Sequence, residues 1–174
     1  WLRVGELLLA RGEFDKALEA ADKAVLLSRA RYLSLSAVDL KMRVYRRMRW
    51  MNEARQMAGY LLDQKYVDGD VPALLALMAR ADAESGKVGS ALGLYRRAIA
   101  AATPQEAARL SSERDGLIDG TADLSVLREA ADSEEDPEER SQLFLAMGRV
   151  ATREGVPGIA GYFFSTAAWV SGVS

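Results

Sequence analysis

Three alanines, Ala17, Ala54 and Ala91, stand 37 residues apart, and the residues around them recur with them. A period of this length restricts a chain to repeat architectures, in which one supersecondary unit is stacked on copies of itself. The unit is clearest in residues 1 to 24, WLRVGELLLARGEFDKALEAADKA. Apolar and small residues fall at Trp1, Val4, Gly5 and Leu8; Gly12 and Phe14 then mark a turn, and Ala17, Ala21 and Ala24 follow. That is helical spacing on both sides of a break. A helix pair of this size cannot bury its apolar stripe alone, so it requires neighbours of the same kind.

The third copy repeats the pattern as Leu75, Met78, Ala79, Asp82, Gly86, Val88, Ala91, Tyr95 and Ala98. The last reads Phe144, Met147, Gly148, Ala151, Gly155, Pro157, Ala160, Phe164 and Ala167. The second keeps Met51, Ala54, Ala58 and Leu61, but has Lys41 and Met42 at the small-residue position and Arg49 where the turn glycine belongs. A degenerate fourth copy is expected over about 104–133. Five units, at about 1–31, 34–67, 71–103, 104–133 and 137–172, then form one array over 1–174. Thr103, Pro104 and Glu106, and again Asp136, Pro137, Glu138 and Glu139, read as helix starts, with a cap, a proline in the first turn and a carboxylate behind it. Asp68, Gly69, Asp70 and Pro72 mark the loop before the third unit. The spacing predicts helices near 2–11, 14–29, 34–48, 52–65, 72–85, 88–102, 104–118, 122–132, 137–153 and 157–171, and no strand.

This pattern resembles the tetratricopeptide repeat, in which a large residue and a Leu-Gly-like pair precede a turn glycine, and Ala, an aromatic and Ala follow it. The resemblance implies an all-α, right-handed superhelical solenoid of antiparallel helix pairs that binds partner proteins. It also implies that the first helix of each unit lines a concave surface, here through Leu2, Glu6 and Leu9, through Asp39, Arg43, Arg46 and Arg47, through Ala76, Arg80, Ala83 and Glu84, and through Leu145, Arg149, Thr152 and Arg153. Arg43, Arg80 and Arg149 share one register position. With Arg46, Arg47 and Arg153 they are the candidate partner-binding residues, suited to an acidic peptide. The family's clamp of Lys and Asn on a terminal carboxylate is not matched, because Leu2, Glu6, Leu40, Ala73 and Leu77 stand where its polar groups would be.

Composition removes most chemistry. The chain has neither cysteine nor histidine, which excludes disulfides, thiolate nucleophiles and the commonest metal ligand and general base. No Ser-Lys spacing of catalytic meaning replaces them, so the reading is non-catalytic, with no cofactor and no metal. The acidic run Asp132, Glu134, Glu135, Asp136, Glu138 and Glu139 lacks the glycine turn and ligand spacing of a calcium loop, and reads as a solvated loop with helix-start carboxylates. Charge is unevenly placed: residues 1–103 carry 17 Lys or Arg against 12 Asp or Glu, whereas residues 104–174 carry 6 against 13.

Five cations lie between Lys41 and Arg49, with Tyr45 and Trp50 among them. The run reads in three ways: a core of Tyr45 and Met48 under a solvated basic face, part of the ligand groove, or a patch for nucleic acid or anionic lipid. The net charge of −2 argues against nucleic acid as the general partner. Residues 155–174 hold no charge, long enough to be scored as a membrane span, but Pro157, four glycines and the fit to the repeat argue against one. The same absence of charge makes the last helix an end-docking candidate. Tyr162, Thr166, Trp169 and Val173 recur on one side, where the first helix of a sixth unit, another chain or a self-associating copy is expected to pack. Trp1 in place of Met reads as a fragment or a processed product. Two rival functions follow, a structural or assembly subunit docking through its ends and a regulatory repeat domain of a larger protein. The compartment is left open.

Overall fold

A computed structural model describes residues 1–28, 30–66, 70–121 and 123–172, and among them every regular element is an α-helix. Ten helices follow in order: α1 Leu2–Ala10, α2 Phe14–Leu27, α3 Arg31–Arg47, α4 Met51–Asp63, α5 Val71–Glu84, α6 Val88–Ala101, α7 Pro104–Gly120, α8 Leu124–Ser133, α9 Pro137–Arg153 and α10 Pro157–Val170. The chain divides into two compact units, Trp1–Ala81 and Asp82–Ser174. The division falls within α5. No described helix is long and apolar enough to cross a membrane.

In the first unit the repeated alanines are the floor on which the next helix rests. Ala17 and Ala21 of α2 are fully buried with Leu40 and Val44 of α3. Leu35, Val38 and Met42 on α3 pack with Ala54, Ala58 and Leu61 of α4 and Leu74 and Leu77 of α5. Small residues recur in this register because the backbones approach closely. A Cβ on Gly5 would lie 2.6 Å from Leu40 Cδ2 and 3.4 Å from the Ala17 carbonyl oxygen, so a side chain there would force α1 away from its neighbours. Arg31 starts α3 three residues before the expected position, where its guanidinium donates to the Gln64 side chain at 2.7 Å.

Four of the turns inside the helix pairs share one hydrogen-bonded form. After α1, the Gly12 N–H donates to Leu9 O and the Glu13 N–H to Leu8 O, closing the helix through a left-handed residue. Gly86 and Gly155 repeat this with φ of 76° and 75°. The turn after α3 is the same, with Arg49 N–H on Arg46 O and Trp50 N–H on Tyr45 O, but its left-handed residue is Arg49, at φ 63°. The missing glycine did not remove the turn.

In the second unit Val88, Leu92, Ile118, Leu127, Leu143, Met147, Val150 and Phe163 share one core with Ala131, Ala146, Ala151 and Ala160. Phe163 rather than Phe164 is the more buried aromatic of α10; Phe164 is half out of the core, its ring over Gly148. The helix starts are chemically as expected. The Thr103 N–H and hydroxyl both donate to Glu106 Oε2, which lowers the Glu106 pKa. Asp136 accepts from the Glu138 and Glu139 N–H groups at 2.9 and 3.0 Å. The fourth pair is built differently from the rest: α7 ends at Gly120, and Asp123 caps α8 by accepting from the Ser125 N–H at 2.8 Å.

Candidate partner-binding surfaces

Arg43, Arg46 and Arg47 sit on the second half of α3, in the first unit. Arg43 is only partly exposed. Its Nη2 lies 3.6 Å from Glu6 Oε1 on α1, and its Nε lies 3.0 Å from Asp39 Oδ2 one turn back. The Nε contact is close but poorly aligned, so that N–H completes no hydrogen bond. Burial pushes the Asp39 carboxyl above its ordinary value, against the opposing pull of Arg43 and Arg46. Lys41 is likewise engaged, with Asp22 of α2 at 2.7 Å. Arg46 and Arg47 are exposed, and among the described residues neither forms an ion pair. Arg80, on α5, is half-buried and has its own partner. The sequence register puts Arg43 and Arg80 at equivalent positions, but their side chains are held rather than open.

Arg149 and Arg153 belong to α9, in the second unit. Arg149 Nη2 lies 2.5 Å from Asp119 Oδ1 near the end of α7. The two helices enclose a groove of about 320 Å³ lined by Ile118, Asp119, Ala146, Arg149, Val150 and Arg153. A narrower extension of about 180 Å³ runs past Asp115 and Gln142. Ile118, Ala146 and Val150 are buried and form its floor, while both arginines are exposed at its rim. The groove therefore joins a dry apolar surface to two cations and one counter-charge. Neither Asp119 nor the other floor residues were picked out from the sequence, because α7 and α9 are 17 residues apart in the chain and only folding brings them together.

The acidic run between α8 and α9 is absorbed by local structure. Glu134 is paired with Arg96, Glu139 with Arg114, and Asp136 is a helix cap. Burial raises the Glu139 pKa in spite of Arg114.

On α10, Tyr162 and Trp169 are 66% and 82% exposed, and the half-buried Thr166 hydroxyl donates to the Tyr162 carbonyl. Val173 lies outside the described residues. The repeat register bears on what this side is for. Tyr162 and Trp169 stand where α2 has Glu19 and Leu26 and where α4 has Gln56 and Asp63, all exposed with a following helix in place. In α2 the side that meets α3 is instead that of Leu18, Asp22 and Val25, which corresponds to Gly161, Ser165 and Ala168 of α10. The Tyr162 and Trp169 side is thus an outer face, and what distinguishes it is that rings stand where α2 and α4 have Glu19, Gln56, Asp63 and Leu26.

No protein-family model matches the sequence, and no curated protein matches it. Solved structures do. YrrB, described as a TPR protein with an unusual peptide-binding site, is 18% identical, with a TM-score of 0.56 over 97% of this chain and 84% of that one. MamA is 15% identical with a TM-score of 0.56, covering 97% and 94%. BtubC from P. vanneervenii is 18% identical with a TM-score of 0.55, covering 97% and 77%. The chain has the tetratricopeptide-repeat fold. At these identities the likeness extends to fold and no further.

Proposed function

We propose that the chain is a non-catalytic interaction module that takes an extended, partly acidic segment of a partner protein along the faces of its first helices. The observation that carries this reading is the groove between α7 and α9, with an apolar floor and Arg149 and Arg153 at its rim. An exposed ion pair such as Arg149 with Asp119 contributes about 0 to 1 kcal/mol, so a partner carboxylate can take the place of Asp119 at little cost. An apolar side chain beside that carboxylate would bury its own surface against the groove wall, since Ile118, Ala146 and Val150 are already covered. Arg43, Arg80, Arg46 and Arg47 extend the same chemistry to the first unit, with Arg46 and Arg47 the more accessible. The shared fold with a protein described as having a peptide-binding site supports a peptide as the kind of ligand. The test is a pull-down from native lysate, repeated with the exposed Arg149 and Arg153 changed to Glu. Capture is expected to disappear while helicity and melting stay nearly unchanged; undiminished capture would move the site elsewhere.

A second reading, assembly through the last helix, is favoured by the outer face of α10, where Ile159, Tyr162 and Trp169 are exposed on a helix without charge. Apolar rings on an otherwise polar outer row are the usual mark of a covered surface. Light scattering over a range of concentrations, with Tyr162→Ser and Trp169→Ser as the comparison, separates assembly from monomeric capture. A particle mass that does not change with concentration or with these substitutions would count against it.

A further inference from the structure

The turn between α3 and α4 holds a charged outlier that the groove does not use. Three turns of the same hydrogen-bonded form have Gly12, Gly86 and Gly155 at the left-handed position, whereas this one has Arg49 at φ 63° and the turn after α4 has Lys65 at φ 51°. A left-handed arginine is strained relative to glycine. Its side chain offers no packing compensation: Arg49 is exposed and, among the described residues, forms no ion pair. Arg46 and Arg47 flank it in the last turn of α3, exposed and also without an ion pair among the described residues. The negative end of the helix dipole favours cations here, as it does at the left-handed Lys65 after α4; what sets Arg49 apart is that Arg46, Arg47 and Trp50 stand beside it. Earlier in α3 the situation is the reverse, since Lys41 and Arg43 are matched to Asp22 and Asp39.

Beside the arginines stands an aromatic wall. Trp50 is half-exposed and stacks on Tyr45 with ring centroids 6.0 Å apart and planes 16° from parallel. Stacking fixes the indole and leaves its exposed part as a flat apolar surface next to the cations. From Lys41 to Asn52 the chain carries no Asp or Glu; Asp39 acts on Arg46 from one side, and Glu53 follows on the other, but among the described residues neither forms an ion pair with Arg46, Arg47 or Arg49.

We infer that this turn is a docking point for a carboxylate-rich segment of a partner protein that also carries an aromatic or aliphatic side chain. Arg46, Arg47 and Arg49 take the carboxylates, for which the planar guanidinium is well shaped, and Trp50 takes the apolar side chain. Three guanidiniums neutralise few phosphates, so a short acidic peptide suits the site better than a nucleic acid. The inference rests on the acidic-segment reading, with which it shares Arg46 and Arg47, but it does not use the groove between α7 and α9, and either site can fail without the other.

The test uses the full chain with Trp1→Phe and Trp169→Phe, which leaves Trp50 as the sole indole. The probes are a twelve-residue peptide of Asp, Glu and Gly with one central Phe, its Asn and Gln counterpart, and a twelve-nucleotide oligothymidylate. The acidic peptide is expected to shift Trp50 emission saturably, weakening as salt is added, while the neutral peptide does not. Arg49→Gly is the informative variant, because glycine relieves the turn, so lost binding cannot be blamed on misfolding. It should weaken the acidic peptide about tenfold, the loss of one charge-assisted contact, and Arg46→Gln with Arg47→Gln should weaken it further. Arg49→Gly binding as tightly as the parent, equal binding of the neutral peptide, or tighter binding of the oligonucleotide would each overturn the inference. Capture that depends on Arg149 and Arg153 but not on Arg49 would overturn it too, while leaving the groove standing.

Discussion

The cations of the two compact units are used differently. In the second unit four arginines are matched, Arg96 with Glu134, Arg114 with Glu139, Arg109 with Glu113 and Arg149 with Asp119, while Lys87, Arg97 and Arg153 stay exposed. In the first unit Lys41 and Arg43 are matched, but Arg46, Arg47 and Arg49 are exposed and, among the described residues, without an ion pair. The difference follows from composition, since residues 1–81 have a surplus of four positive charges and residues 82–174 a surplus of six negative ones. A surplus leaves charges over once local pairing is complete. The comparison teaches that an arginine on a repeat scaffold says little about binding until its partners are known. Arg149 and Arg47 look alike in sequence, yet one must release a carboxylate before it can bind another.

Packing should be indifferent to this contrast, and there the largest effect is expected. Ala91 is fully buried, so Ala91→Leu should overpack its repeat and cost about 1 to 3 kcal/mol. Urea unfolding measures it, and a loss below about 0.5 kcal/mol would mean that the alanine register is not what sets helix spacing. The contrast itself is broken or sharpened by removing one cation from each unit. Arg114 is mostly buried against the partly buried Glu139, whose pKa burial already raises. Arg114→Ala leaves that carboxylate without its partner and should cost about 1 to 3 kcal/mol. Arg47→Ala, at an exposed and unpaired position, should stay within about 0.5 kcal/mol. Equal losses would show that the unpaired state of Arg47 is not real in solution.

How much of this could be read from the sequence depends on the distance over which each feature is determined. The period of the alanines placed all ten helices to within about three residues, because the spacing of small and large residues is a local record of packing. Caps at Thr103 and Asp136 were equally legible, being short-range hydrogen-bond chemistry. Asp123 caps α8 by the same chemistry, but the degenerate fourth copy gives its position no repeat register. The candidate site was less legible. Arg43 meets Glu6 and Arg149 meets Asp119 across 37 and 30 residues of chain, and no spacing rule gives such pairs. Arg49 carried a signal that was read only as degeneracy. Its meaning appears once the backbone shows that the turn was kept and the strain accepted.

That strain gives the next, smaller effect. Arg49→Gly should raise stability by about 0.5 to 1 kcal/mol, since a left-handed non-glycine residue costs about 1 to 2 kcal/mol and glycine returns part of that through its freer unfolded chain. Gly12→Ala, the same test run backwards at φ 77° with open space around it, should destabilise by a similar amount. If Arg49→Gly destabilises instead, the arginine side chain holds the turn by contacts of its own and is not an uncompensated outlier.

The smallest effect concerns the paired side of the contrast and its dependence on pH. Asp39 has its carboxyl raised first by burial, with Glu6 adding to the rise and Arg43 and Arg46 opposing it. A carboxyl raised on folding makes a contribution to stability that is fully present below its unfolded value, just under pH 4, and is lost as pH rises through the folded value. Asp39→Asn removes that titration. Relative to the parent, the variant should therefore gain stability from just below pH 4 upward and then level off, even though Arg43 loses one of its two carboxylates. Urea midpoints of parent and variant at pH 3.5, 5 and 7 measure the difference, and taking the difference cancels the other carboxylates of the chain. A parent that gains on the variant as pH rises would mean that the Arg43 pair outweighs burial at Asp39. Arg43 would then be held tightly by its own chain, and partner carboxylates would be left to Arg46, Arg47 and Arg49.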